Sequence, residues 1–395
     1  MARAIGRVVL FLIVALLLAV VLVPPFLDRI YYRGPESAHF DGERFFNPDG
    51  EDTAAPPTGG SRAGFFARFL TGSDGRPPWP ESVRVTPTKP PARVEGERML
   101  VTWIGHATVL VQTAGLNILT DPIYSDTAGP FGFGPRRVAA PGVRFEDLQK
   151  IDLILISHNH YDHMDLATLK RLWERDRPVI VTGLGNDAIL GSRGIHALAL
   201  DWGQWTGVTA SHRIKGPGVY DIDAQVMVTR SHHWGSRWFA DRNRALWSAF
   251  IVSLPGGNIF FAGDTGLGDG KWPAEAFGGY PIRVALVPIG AFRFQQGQMG
   301  TGSHIGPIDA VKVFEGLGRP FTVPIHWGTF RLSYEAYDTP PKLLAEAMRC
   351  AGHDPRRFAP VRIGQPIEVP PISASPPARP LGPDCLNGPA IRNLQ

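Results

Sequence analysis

The chain opens on an unbroken apolar run, Val8 to Val23, preceded by Arg3 and Arg7 and extended by Pro24, Pro25, Phe26 and Leu27. One helix needs about 20 such residues to cross a bilayer, so the run predicts a membrane-spanning segment within residues 1–30. A secretory signal peptide has a shorter apolar core, about 7–15 residues, and ends in a small-residue cleavage pattern; a run leading into Pro24-Pro25 favours an uncleaved single-pass anchor. The amino terminus with Arg3 and Arg7 slightly outweighs Arg29 and Arg33, which places the main domain outside the cytoplasm. Residues 31–93 form a Gly/Pro-rich lead-in with no sustained period, in which Arg62 to Thr71 is amphipathic enough for a short covering helix.

From Met99 the pattern changes to short apolar runs. Met99 to Gln112 reads as two strand fragments broken at Gly105-His106, and Asn117 to Leu119 starts a third, as in a β-meander. Ile151 to Ile156 is a β-branched run, and Asp165 to Trp173 has apolar positions at helical spacing with Asp165 as its N-cap. Val179 to Val181, Ala197 to Leu200, Val226 to Val228, Ile259 to Ala262, Val323 to Ile325 and Val361 to Val369 read as further strands, with a helix ending near Leu317-Gly318. Strands alternating with amphipathic helices predict a layered α/β domain over residues 94–369, followed by a Pro/Ala-rich tail, 370–395, without a core of its own.

Several of these strands end abruptly in groups that bind metals. Ile156 gives way to Ser157, His158, His160, Asp162 and His163; Val228 leads to His232 and His233; Ala262 leads to Asp264; Ile325 leads to His326. Imidazoles and carboxylates beside a core strand are costly to desolvate unless each has a partner, and a divalent cation is such a partner. The spacing allows more than one ion, with His158 and His160 on one side of a turn and Asp162 and His163 on another. Asp121 and Asp165 are candidate acceptors for the far nitrogens of the imidazoles. His106 is either a residue that orients a ligand or a structural histidine, and the loop Pro130 to Pro141, with Arg136 and Arg137, is a candidate substrate mouth.

Composition narrows the reading. A chain of 395 residues with 44% hydrophobic residues is long enough for a large core, and 45 Gly and 37 Pro favour a loop-rich sheet protein over a helix bundle. The net charge is only +4, and no basic run is interleaved with aromatics, so nucleic acid is not an expected partner. Cys350 and Cys385, the only cysteines, lie far from the histidines; they provide no cysteine metal site, and they can pair if the chain is exported.

The segment His158-Asn-His160-Tyr-Asp162-His163 resembles the HxHxDH signature of the metallo-β-lactamase superfamily. The order WIGHAT, TDP, HHWG, GDT, PIGAF and HWGTF, from Met99 to Gly364, is similar to its N-acyl-phosphatidylethanolamine phospholipase D and UlaG-lactonase branch. The resemblance implies an α/β fold, the αββα sandwich of that superfamily, to which the leading apolar run adds an N-terminal transmembrane helix. It also implies two divalent cations, Zn2+ first among them. His158, His160 and His233 would hold one; Asp162, His163 and His326 the other; Asp264 would bridge both. His232 is left out because the branch places its ligand directly before the aromatic, here Trp234. Asp162 and Asp264 are thereby catalytic candidates, and His304, in a loop similar to one that approaches substrate in the branch, is a candidate contact for phosphate or leaving group.

The implied activity is metal-dependent hydrolysis of phosphodiesters, phospholipase D-like, on a phospholipid or a small ester or phosphodiester, with the anchor turning the domain toward a membrane. The alternatives are a UlaG-like lactonase or other carbonyl hydrolase, and a noncatalytic anchored metal-binding scaffold. A structural zinc closes its shell with four ligands and needs no bridge, which counts against the scaffold.

Overall fold

The leading apolar run is helical: α1 spans Ala2–Leu27 in the computed structural model, which describes residues 2–50, 64, 68, 75–213, 219–238, 240–294, 301–373 and 381–394. The expected membrane anchor does not follow from it. Among the described residues no helix is long and apolar enough to cross a membrane. This overturns the transmembrane helix, the single-pass membrane localisation and the membrane as a partner. The chain leaving α1 is stitched to the domain instead. Asp28 accepts from Arg244 Nε and Nη2 at 2.8 and 2.7 Å, Tyr31 donates to Asp241, and Phe40 and Phe45 are buried against Leu246 and Trp247. The helix expected at Arg62 to Thr71 lies outside the described residues except for Gly64 and Arg68.

Strands β1 (Met99–Gly105), β2 (Thr108–Thr113) and β3 (Leu116–Thr120) form the antiparallel meander, after which β4 (Leu153–Ile156), β5 (Val179–Gly183) and β6 (Leu198–Leu200) add in parallel. Between β4 and β5 runs α2 (Leu166–Asp176), and α3 (Asn186–Gly191) follows β5. A second sheet is built from β7 (Trp205–Arg213), β8 (Val219–Thr229), β9 (Ala249–Ser253), β10 (Asn258–Phe261), β11 (Ile282–Pro288) and β12 (Phe321–Ile325), hydrogen-bonded in reverse sequence order from β12 to β7. Its helices are α4 (Trp272–Phe277), α5 (Pro307–Gly316) and α6 (Thr339–Cys350). The short β13 (Pro366–Glu368) returns to the first sheet beside β1.

Side-chain parity assigns the layers. In β4, Leu153 and Leu155 join the core between the sheets, while Ile154 and Ile156 face the α2 residues Leu169 and Leu172. In β11, Val284 and Leu286 point to the same inner core, and Ala285 and Val287 pack under Val311 and Phe314 of α5 and Leu344 of α6. Both faces of each sheet are therefore apolar, giving the expected αββα sandwich. The strands β7, β9 and β11 were not anticipated. The last two are apolar runs whose ends carry no ligand-type side chain to draw attention to them.

The tail is more ordered than its composition predicts. Residues 383–386 and 389–392 form α7 (Pro383–Leu386) and α8 (Pro389–Arg392), Cys385 is disulfide-bonded to Cys350 at the end of α6, and Ile391 is fully buried.

Candidate metal centre

Topology brings the polar strand ends together. In the second sheet β8 and β10 are both antiparallel to β9, and β10, β11 and β12 are parallel, so β8, β10, β11 and β12 all end at one edge. In the first sheet β1, β3 and β4 likewise end together. The residues just past those ends are His233, Asp264, His326, His106, Asp121 and the segment His158 to His163. Backbone strain marks the same edge: His106, Asp121 and His326 all have positive φ, 54°, 30° and 62°. Gly263, at φ 61°, permits a closer approach than any other residue would, since a Cβ there would lie 2.4 Å from Ser157 Cβ.

Two groups of donors converge. In the first, His160 Nδ1 lies 2.7 Å from His158 Nε2 and 3.4 Å from His233 Nε2. In the second, His326 Nε2 is 3.1 Å from His163 Nε2, 3.1 Å from Asp264 Oδ2 and 3.6 Å from Asp162 Oδ2, while His163 Nε2 is 3.2 Å from Asp264 Oδ2. Asp264 links the groups, with Oδ2 also 4.0 Å from His233 Nε2 and 3.7 Å from His304 Nδ1. Bonds of about 2.0–2.1 Å to a tetrahedral ion give a ligand–ligand edge of about 3.3 Å, and these separations bracket that value. The donor set is imidazole and carboxylate, and Asp264 Oδ1 is buried with no hydrogen-bond partner. The residues thus fit one or two divalent cations.

The surroundings aim these donors. His163 Nδ1 is bonded to Asp121 Oδ2 at 2.7 Å, His233 Nδ1 to Ser303 O at 2.8 Å, His326 Nδ1 to Gly290 O at 2.7 Å, and Asp162 Oδ2 to His106 Nε2 at 2.9 Å. Each bond fixes which atom faces the centre. Burial pushes the imidazoles of His160, His233 and His304 down to about 3, and that of His158 well below its ordinary value. Burial acts the same way on His326, but Asp264 and Asp162 outweigh it and hold the ring up at about 9; His163 is raised well above its usual value for the same reason. Asp162 and Asp264, although buried, are held well below the usual carboxylate range by these histidines. Protons on His163 and His326 thus offset two buried carboxylates, a task a cation also performs.

Every residue singled out as a ligand therefore lies in one cluster, with His304 at its rim: its ring centroid is 4.9 Å from that of His233. Other expectations resolve individually. His106 orients Asp162, and His232 turns its Nδ1 away, to Asp49. Asp165 is no imidazole acceptor, because its oxygens cap α2 and take Ser125 and Thr168 hydroxyls. Arg137 does not line a mouth. Its half-buried guanidinium lies over the Phe330 ring and is bonded to Ile123 O, whereas Arg136 does line a cavity of about 670 Å3, with Tyr161, Met164 and Trp238. The lead-in contributes what no local pattern signalled: Asn47 Nδ2 donates to His233 O at 2.8 Å, and Asp49 holds His232.

Comparison with known proteins agrees with this geometry. Residues 116–327 match the family described as the β-lactamase superfamily domain. The chain is 33% identical over 263 residues to an uncharacterised protein of Mycobacterium tuberculosis, covering 65% of this chain and 66% of that one, so about a third of the relative lies outside the match. It is 32% identical over 254 residues to the N-acyl-phosphatidylethanolamine-hydrolyzing phospholipase D 1 of Caenorhabditis elegans, covering 62% of this chain and 68% of the relative. Among solved structures, a possible metal-dependent hydrolase from Veillonella parvula shares the fold with a TM-score of 0.52 at 14% identity, covering 69% of this chain and 100% of that one.

Proposed function

The chain belongs to the metallo-β-lactamase superfamily, and we propose that within it the protein is a dinuclear phosphodiesterase of the phospholipase D type. Its clustered histidines and aspartates, with that membership, support the broader reading of a metal-dependent hydrolase. The observation that carries the finer one is Asp264. Its carboxylate stands between both donor groups, with one oxygen 3.1 Å from His326 Nε2 and 4.0 Å from His233 Nε2 and the other unpartnered. In this reading His158, His160 and His233 would hold one ion, Asp162, His163 and His326 the other, and Asp264 would be shared between them, Zn2+ being the ion such donors suit first. Cations so held lower the pKa of water and stabilise negative charge on oxygen.

The protein's own side chains do the rest. Asp121 and His106 fix the orientation of His163 and Asp162. His304, beside Asp264, contacts the phosphate or the leaving-group oxygen of the substrate. The similarity to a phospholipase D that acts on N-acyl-phosphatidylethanolamine supports a lipid or small phosphodiester as substrate.

The test is turnover of N-acyl-phosphatidylethanolamine, simple aryl phosphodiesters and lactones by the purified protein, with and without chelator. Chelator-sensitive release of the phosphatidic acid and the N-acylethanolamine is the expected result. Turnover of lactones alone sinks the phosphodiesterase reading, and a fully metal-loaded protein inert on every substrate sinks the hydrolase. Asp264→Ala abolishes activity and lowers occupancy of at least one ion; undiminished turnover refutes the bridge.

A further inference from the structure

The turn after β11 offers no donor of its own to the cluster, yet it is fitted to one. His326 Nδ1 lies 2.7 Å from Gly290 O and 3.1 Å from Ala291 N, both in this turn, which leaves Nε2 facing Asp264 and His163 at 3.1 Å from each. The carbonyl is buried two residues past the end of β11 at Pro288, and one strand-like bond, Ile289 N to Ile325 O at 3.1 Å, leads into it. Beyond Gly290 the turn is held by a carboxylate from the other side of His326 in sequence. Glu335 is 2% exposed. Its Oε1 accepts from Phe292 N at 3.3 Å, and its Oε2 accepts from Arg293 N at 3.2 Å and from Ser333 Oγ at 2.5 Å. A further backbone bond, Tyr334 N to Arg293 O at 2.8 Å, ties the two loops side by side.

Two main-chain N–H groups and one hydroxyl donate to the Glu335 carboxylate, so both oxygens serve as acceptors. Burying a carboxylate is costly, and a loop bound only for shape has cheaper ties in backbone bonds such as that of Tyr334. The expense falls two and three residues from the carbonyl that sets the direction of His326. We propose that Glu335 is a positioning residue of the metal centre: by holding the N–H groups of Phe292 and Arg293 it keeps the Gly290 carbonyl against His326 Nδ1 and so aims His326 Nε2. The inference rests on the reading of His326 as a ligand. It names a residue that acts through another, outside the donor set itself.

The experiment is Co2+ titration of the metal-free full chain, followed by calorimetry and by the visible absorption of bound Co2+, in wild type, Glu335→Gln and Glu335→Asp. Gln keeps the volume but turns an NH2 toward a donor, whereas Asp keeps the charge. The expected result is two binding steps in wild type. In Glu335→Gln one step, with its spectrum, is unchanged and the other is weakened about 10–100-fold, the cost typical of a lost outer partner. Glu335→Asp falls between the two. If both steps keep wild-type affinity and spectrum in Glu335→Gln, or if both weaken equally, the positioning role is overturned. Should Glu335→Gln fail to fold, Ser333→Ala, which removes one donor only, carries the same test with a smaller shift confined to one step. A wild type that binds no Co2+ is a different failure: it overturns the metal-centre reading and this inference with it.

Discussion

His163 Nδ1 donates to Asp121 Oδ2 across 2.7 Å, with neither side chain exposed at all. Asp121 directly follows β3 and His163 lies in the segment after β4, so two parallel strands are joined beyond their last ladder bond. The bond commits Nδ1 and leaves Nε2 to the cluster. Asp121 also accepts from Ser157 N at 2.7 Å, which holds the first residue of the ligand segment. Changing Asp121→Asn keeps the size and removes the charge and one acceptor. The expected outcome is a loss of about 10–100-fold in metal affinity or in activity, read by competitive titration with a chromogenic chelator. Wild-type affinity in that variant contradicts the role given to Asp121.

Metal uptake is expected to release protons. In the metal-free protein Asp264 and Asp162 hold His326 at about 9 against burial, and His163 is raised as well. Both rings are therefore protonated at pH 7, and a cation must displace those protons. Apparent affinity rises with pH until about 9 is passed, and falls on acidification. Calorimetric titration at pH 7 in buffers of different ionisation heat gives the number of protons released. A count of zero is incompatible with the arrangement of His163 and His326 against two carboxylates.

The site was legible in the sequence wherever its signal was local. An apolar run ending in His158, or in Asp264 or His326, is a pattern a few residues long, and parallel strand topology then gathers such ends without further instruction. Contacts between distant segments left no such trace. Asn47 reaches His233 O across 186 positions, and nothing near Asn47 marks it as part of the site. Glu335 reads as an ordinary loop acid until the fold brings Phe292 and Arg293 against it. Asp165 failed for another reason: two functions competed for one carboxylate, and the helix cap took it. The leading apolar run reads as an anchor from its length and flanking arginines, local signals that carry nothing of the contacts just after it, where Asp28 is clamped by Arg244 and Arg44.

That clamp has a pH signature. Arg244 bonds the Asp28 carboxylate through two nitrogens and, with Arg44, holds its pKa below the ordinary carboxylate value despite some burial. A group whose folded pKa is depressed stabilises the fold above its unfolded value, near 4, and loses that contribution as pH falls through the folded value. Asp28 is partly exposed, so solvent screens the pair and the contribution is about 1 kcal/mol or less. Asp28→Asn is expected to lower the melting temperature slightly at pH 7 and not at all near pH 2. An equal difference at both values means that the carboxylate charge is not what holds the chain after α1.

The Cys350–Cys385 bond closes a separation of 35 residues between α6 and α7. Chain-entropy arguments put the stabilisation from a loop of that length at up to about 4 kcal/mol, but the part that benefits is local. α7 and α8 have only 4 residues each, too few to hold helix on their own. Their attachment otherwise depends on the buried Ile391 and on Arg293 Nη2 donating to Leu394 O. Reduction, or the pair Cys350→Ser and Cys385→Ser, is therefore expected to free residues 381–394 before the sandwich unfolds. Limited proteolysis followed by mass spectrometry distinguishes the cases. Cleavage confined to residues 381–394 appears in the reduced protein and not in the oxidised one, while the αββα core stays intact; an unchanged cleavage pattern on reduction means that Ile391 and its neighbours hold the tail without the disulfide.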